Sequence, residues 1–118
     1  MINNEESRTD LGIIRIHKNV IASIAEIASL EIEGVKRVKK DIKSGLMELI
    51  GRKSSSYIKV EIGKSDEVKI EIPLIIKYEY HIPDIASKVQ ENVRNNIEKM
   101  TNLTAKDINI NIQGIERG

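Results

Sequence analysis

Two histidines, His17 and His81, are the only side chains in this chain that ordinarily titrate near neutrality, and there is no cysteine. The missing thiols remove disulfides, thiolate nucleophiles, cysteine-ligated zinc and iron–sulfur clusters together. Each histidine falls at a strand-to-helix junction, so the fold has to bring two such junctions together for the pair to share a metal or a proton. Neither has a carboxylate at metal-ligand spacing, and the simpler reading is two surface histidines. No Gly-x-Ser-x-Gly elbow, phosphate loop or dinucleotide fingerprint occurs. Glu31 with Glu33, and Asp66 with Glu67, fall in turn segments, where solvation is expected rather than work as a paired acid and base. The expectation is a protein with no catalytic residue, no cofactor and no metal.

The one lopsided stretch is 36–53. Lys36, Arg37, Lys39, Lys40, Lys43, Arg52 and Lys53 stand there against only Asp41 and Glu48, and Leu46, Met47, Leu49 and Ile50 are interspersed. As a functional surface it is a docking patch for an acidic partner, RNA or anionic lipid, with Lys36, Arg37, Lys39, Lys40, Lys43, Leu46, Leu49, Arg52 and Lys53 as its contact residues. As a plain structural feature it is a solvated loop whose aliphatic residues tuck onto the core. A nucleic-acid-binding small α+β module using the same basic segment is the alternative. Such modules stack bases on exposed aromatics or clamp the backbone with Gly-x-x-Gly. Only Tyr57, Tyr78 and Tyr80 are aromatic and the clamp is absent, so a protein is the expected partner, a second copy of the chain included.

The elements that position these residues are legible from periodicity. Ile14 and Ile16 alternate with polar residues as a short strand. From Asn19, a suitable N-cap, Val20, Ile21, Ile24, Ala25, Ile27 and Ala28 make an amphipathic helix, with Ser23, Glu26 and Ser29 on its wet side. Gly34 ends it, and Val35 to Val38 form a weak second strand. Ile42, Leu46, Leu49 and Ile50 have helical spacing, but Gly45, Gly51 and Ser54 to Ser56 interrupt, and 39–56 reads as a variable loop. Ile58, Val60 and Ile62 then alternate, Gly63 to Glu67 turn the chain, and Val68, Ile70, Ile72, Leu74, Ile76, Tyr78 and Tyr80 hold one face of a long antiparallel hairpin. Pro73 has no N–H and predicts an edge or a bulge. Ile82, Ile85, Ala86, Val89, Val93, Ile97 and Met100 give a second helix, opened by Pro83 and Asp84 and stopped by a left-handed Asn102. Ile108, Ile110 and Ile112 form the last strand. Both helices carry Ile-x-x-Ile-Ala (Ile21 to Ala25, Ile82 to Ala86), by internal duplication or by convergence of two helices on one sheet.

With 118 residues, 40% of them apolar and 31% charged, the chain fits one domain, 11–115, behind a disordered tail, 1–10. The fold class is α+β: a small mixed or antiparallel sheet with two helices on one face. Isoleucine dominates a core without Phe or Trp. A net charge of +1 supplies no global field. No apolar run approaches the roughly 20 residues of a spanning helix, and 1–10 lacks the pattern of a signal peptide. A cytoplasmic protein is expected, touching a membrane only peripherally or through a partner.

Three stretches together carry a resemblance. They are Gly12 to Ile16 running into Val20 to Ala25 and Glu33-Gly34-Val35; Ile82 to Val93; and Met100 to Leu103 leading to Ile108 through Ile115. Their order and spacing resemble the alkaline shock (general-stress) protein family of Gram-positive and related bacteria over 11–115. The resemblance departs from the family pattern at Tyr78-Glu79, where Tyr-Gly is usual, and at Asn102, where a helix-ending Gly is usual. It implies a non-enzymatic protein tied to cell-envelope or alkaline stress. It also implies binding to a small membrane-anchored partner or a link to fatty-acid synthesis, and transfers no catalytic residue.

Overall fold

The fold is known from a computed structural model, which describes residues 18–39 and 57–117. Its element order is α1 (helical over 18–30), β1 (Val35–Val38), β2 (Lys59–Ile62), β3 (Glu67–Lys77), α2 (Ile82–Met100) and β4 (Thr104–Glu116). The expected strand at Ile14 and Ile16, the tail and most of the 39–56 loop lie outside the described residues.

β3 is the spine. Its even-numbered residues Val68, Ile70, Ile72, Leu74 and Ile76 are each at most 1% exposed, so one whole phase of the strand is committed to the core. β2 pairs antiparallel with its first half (Ile62 opposite Val68, Lys59 opposite Glu71), after a turn whose Ser65 and Asp66 take positive φ. β1 pairs antiparallel with its second half (Val38 opposite Leu74, Val35 opposite Ile76). β4 runs parallel to β3 along all of it, from Thr104 opposite Glu67 to Glu116 opposite Lys77, with register shifts that leave Lys106 and Gln113 unpaired. The sheet is therefore mixed. Because β4 occupies one edge of β3 throughout, β1 and β2 share the other edge, end to end.

Pro73 marks their junction. An edge or a bulge is what the sequence predicts for it, yet it sits inside the central strand. In an antiparallel pair Lys39 and Pro73 would exchange two backbone bonds, but Pro73 has only an acceptor. Lys39 N–H donates to the Pro73 carbonyl (2.9 Å), and the Lys39 carbonyl accepts instead from Tyr57 N–H (3.0 Å). Lys39 and Tyr57, the described residues on either side of the basic segment, thus meet opposite the missing donor.

β3 also ends sooner than the alternation implies. Tyr78 and Tyr80 lie beyond it, and Glu79 takes φ 79° where the family pattern has glycine. Both helices then cover one face of the sheet. On α1, Ile21, Ala25 and Ala28 are buried and Ile24 is half-buried, while Val20 (43%) and Ile27 (61%) are exposed. Asn19 lies within the helix rather than capping it. Ser29, expected on the wet side, is fully buried, its hydroxyl satisfied by the Ala25 carbonyl at 2.7 Å. On α2, Ile85, Val89, Val93 and Ile97 are buried, and Met100 is exposed. Its end is made by Thr101, whose N–H and hydroxyl both donate to the Ile97 carbonyl (2.9 and 2.7 Å); Asn102 does not take positive φ. Asn92 joins the helices by donating to the Ala28 carbonyl and the Glu31 carboxylate. The two Ile-x-x-Ile-Ala runs bury different members, Ile21 and Ala25 against Ile85, so they do not occupy equivalent faces.

Candidate functional site

Three of the basic docking residues are described, and each has a partner beside the sheet. Lys36 donates to the Arg117 carbonyl (2.6 Å) and Arg37 pairs with Glu116 (2.6 Å). Since β1 and β4 flank β3, the Arg37–Glu116 pair crosses the sheet's helix-free face, where Ile75 lies in register between Arg37 and Gly114. Ile75 is 6% exposed on that face, and a Cβ on Gly114 would lie 3.4 Å from its Cδ1. Lys39 stands over the Tyr57 ring, 5.8 Å from its centroid, beside the bond between their backbones. Lys40, Lys43, Leu46, Leu49, Arg52 and Lys53 lie outside the described residues.

The groups capable of proton chemistry are dispersed. His81 pairs with Asp84 (Nδ1 to Oδ2, 3.1 Å) at the exposed start of α2. His17 lies outside the described residues; its neighbour Lys18 lines a surface hollow with Ile62 and Gly63, at the opposite end of the sheet from His81. Three of the four turn carboxylates are engaged rather than merely solvated, and Asp66 is exposed. Glu33 accepts from the Tyr80 hydroxyl (3.1 Å), Glu31 from Asn92 (2.9 Å), and Glu67 lies 3.8 Å from Lys106. The Glu33 carboxylate, by accepting that bond, pushes the Tyr80 phenol above its ordinary pKa. Among the described residues no three His, Asp or Glu gather as a metal site, and no helix is long and apolar enough to cross a membrane. A cleft of about 490 Å³ between α1 and the end of α2 is lined by Val20, Ile21, Met100 and Leu103, with Asp66 its single ionisable group among the described residues.

The helix-free face bears on the nucleic-acid alternative. Lys59 lies opposite Glu71, and Glu61 opposite Lys69, while Asn111 donates to Glu71 (2.7 Å). That is an alternating-charge surface without an aromatic platform among the described strands, which disfavours base stacking. Periodicity missed two features. Tyr80, read as a strand residue, instead packs on Gly34, and the Glu33-Gly34 pair noted above was the available signal. The other is the outer edge of β4 from Ile108 to Ile115, which has no sequence mark beyond its lack of charge.

Comparison with known proteins adds the family. Residues 6–117 match the model of the alkaline shock protein family, described as having a cell envelope-related function. The chain is 32% identical over 117 residues to the uncharacterized protein YqhY of Bacillus subtilis, covering 98% of this chain and 86% of that one. It is 29% identical over 112 residues to YloU of the same organism, covering 93% of each. Stress response regulator gls24 homologs of Streptococcus pyogenes are 22% identical over 107 residues, 89% of this chain and 59% of theirs. No solved structure matches.

Proposed function

The chain belongs to the alkaline shock protein family, whose function is cell-envelope-related, and from that premise we propose that it is a non-enzymatic adaptor that binds a protein partner through the basic segment between Lys39 and Tyr57. The observation that carries this reading is the closed base of that segment. The Lys39 carbonyl receives Tyr57 N–H opposite Pro73, and the Lys39 ammonium stands over the Tyr57 ring. A segment whose two described ends are pinned to each other beside the sheet can vary or bind without disturbing the ladder next to it. Lys40, Lys43, Arg52 and Lys53 supply positive charge within it, and Leu46 and Leu49 supply apolar contact. The partner is accordingly a protein with an acidic, partly apolar surface. A small membrane-anchored protein fits that description and would hold this chain at the inner face of the cell membrane. Stress-response names among the relatives support an envelope-stress setting.

The test is capture by the full chain from membrane and soluble fractions of the native cell, with and without exchange of Lys40, Lys43, Arg52 and Lys53 for Glu. Lys36, Arg37 and Lys39 stay unchanged because they hold the sheet. Loss of a specifically retained protein, with the unfolding midpoint unaltered, is the expected result. Retention of the same protein at the same salt by the exchanged chain would overturn the docking surface. Salt-steep retention on RNA with no retained protein would overturn the adaptor reading itself.

A further inference from the structure

The outer edge of β4 lies on the side of β3 away from the basic segment. Pro73 accepts from Lys39, so the odd-numbered residues of β3 turn their backbone groups toward β1 and β2, and the even-numbered ones turn theirs toward β4. In a parallel pair the partners of those even residues face away. Their partners are Ala105, Ile108, Ile110, Ile112 and Ile115, which therefore present N–H and C=O along the outer edge.

Side chains of α2 close the start of that edge. Glu98 accepts from Ala105 N–H (3.1 Å), Arg94 donates to the Ala105 carbonyl (3.3 Å), and Gln90 donates to the Ile108 carbonyl (2.7 Å). The plugging stops there. Among the described residues nothing occupies the outward groups of Ile110, Ile112 or Ile115. Ile110 and Ile112 are only partly buried and Ile115 is 51% exposed. From Ile108 to Ile115 the strand holds neither a charge nor a proline, the usual guards of an edge.

We propose that this half-edge pairs antiparallel with β4 of a second copy of the chain, about a two-fold axis at Asn111. In that register Ile110 faces Ile112 of the second copy and Ile112 faces its Ile110, both turned outward, so each pair exchanges both backbone bonds. Asn109 falls opposite Gln113 of the second copy on the polar face, and Asn111 opposite itself. No like charges meet. The strand is complementary to itself where it is unguarded, which favours a second copy over an unrelated extended peptide. The result is one sheet continuous across two subunits, with the two basic segments at its far edges.

Sedimentation of the full chain across concentration tests the pairing, with amide exchange at Ile110 and Ile112 as the local readout. A dimer is expected, with protection of both amides rising as it forms. Ile112→Pro removes a donor that points away from β3, and Asn111→Lys sets like charges face to face at the axis. Each should raise the dimer Kd at least about tenfold, the charge variant more at low salt. Asn111→Lys keeps the test open should Ile112→Pro fail to fold, since position 111 lies on the polar face beside Glu71. A chain that stays monomeric at hundreds of micromolar overturns the proposal, and so does a dimer indifferent to Asn111→Lys with both amides exchanging freely.

Discussion

Gly34 stands at φ 105°, a conformation that side chains on L-residues rarely adopt. A Cβ there would lie 2.6 Å from Ile85 Cδ1 and 2.7 Å from Tyr80 Cδ1, so the position is closed twice over. Gly34→Ala should therefore destabilise by about 2–4 kcal/mol, combining backbone strain with overpacking, as read from denaturant midpoints. Tyr80, above it, links stability to alkaline pH. Its phenol titrates higher in the folded chain than in the unfolded one, because the hydrogen-bonded Glu33 carboxylate disfavours the phenolate. A group raised in this way contributes its full stabilisation below the unfolded value, about 10, and loses it as pH rises through the folded value. Between pH 9 and 11 the thermal midpoint of Tyr80→Phe should consequently fall less than that of the unaltered chain. Equal falls would show that the bond to Glu33 does not couple to folding.

At the scale of elements, the interrupted edge strand follows from one residue. Pro73 withholds the donor that would face the Lys39 carbonyl, and Tyr57 provides it. The Tyr57 amide should accordingly exchange slowly although Tyr57 lies outside the described strands. In Pro73→Val the restored N–H competes for the same carbonyl, and protection of Tyr57 should drop while that of Ile70 and Ile72 is kept. Unchanged protection at Tyr57 would mean that this amide is held by other contacts. Elements whose pattern repeats over many residues are legible from periodicity: the stripe Ile85, Val89, Val93 and Ile97, and the alternation from Val68 to Ile76. Their ends are not. Periodicity misplaces Asn19, Asn102, Tyr78 and Tyr80 because local chemistry at an end, such as Thr101 on the Ile97 carbonyl or the positive φ of Glu79, leaves no periodic trace.

In the whole molecule, β3 separates two surfaces of different kind. On one side is the base of the basic segment; on the other is the unplugged half of β4. The Arg37–Glu116 pair ties the two flanks together across the helix-free face. Its side chains are 48% and 40% exposed, so its worth is discounted to about 1 kcal/mol or less, and its role is to hold β1 and β4 in place over Ile75. Because the surfaces lie on opposite flanks, loss of partner capture and loss of self-pairing are separable outcomes.

The sequence by itself determined the α+β class, the two amphipathic helices, the hairpin from Ile58 to Ile76 and the family, because burial period and chain order suffice for each. It also marked the basic stretch as lopsided. Only the tertiary structure decided that Lys36, Arg37 and Lys39 have partners beside the sheet, that Ser29 is buried, that β4 runs parallel to β3, and that among the described residues half of its outer edge has no partner. The physical reason is range. Periodicity records which face of an element avoids water, whereas strand direction, edge plugging and ion pairing depend on residues up to 81 positions apart, as Lys36 and Arg117 are.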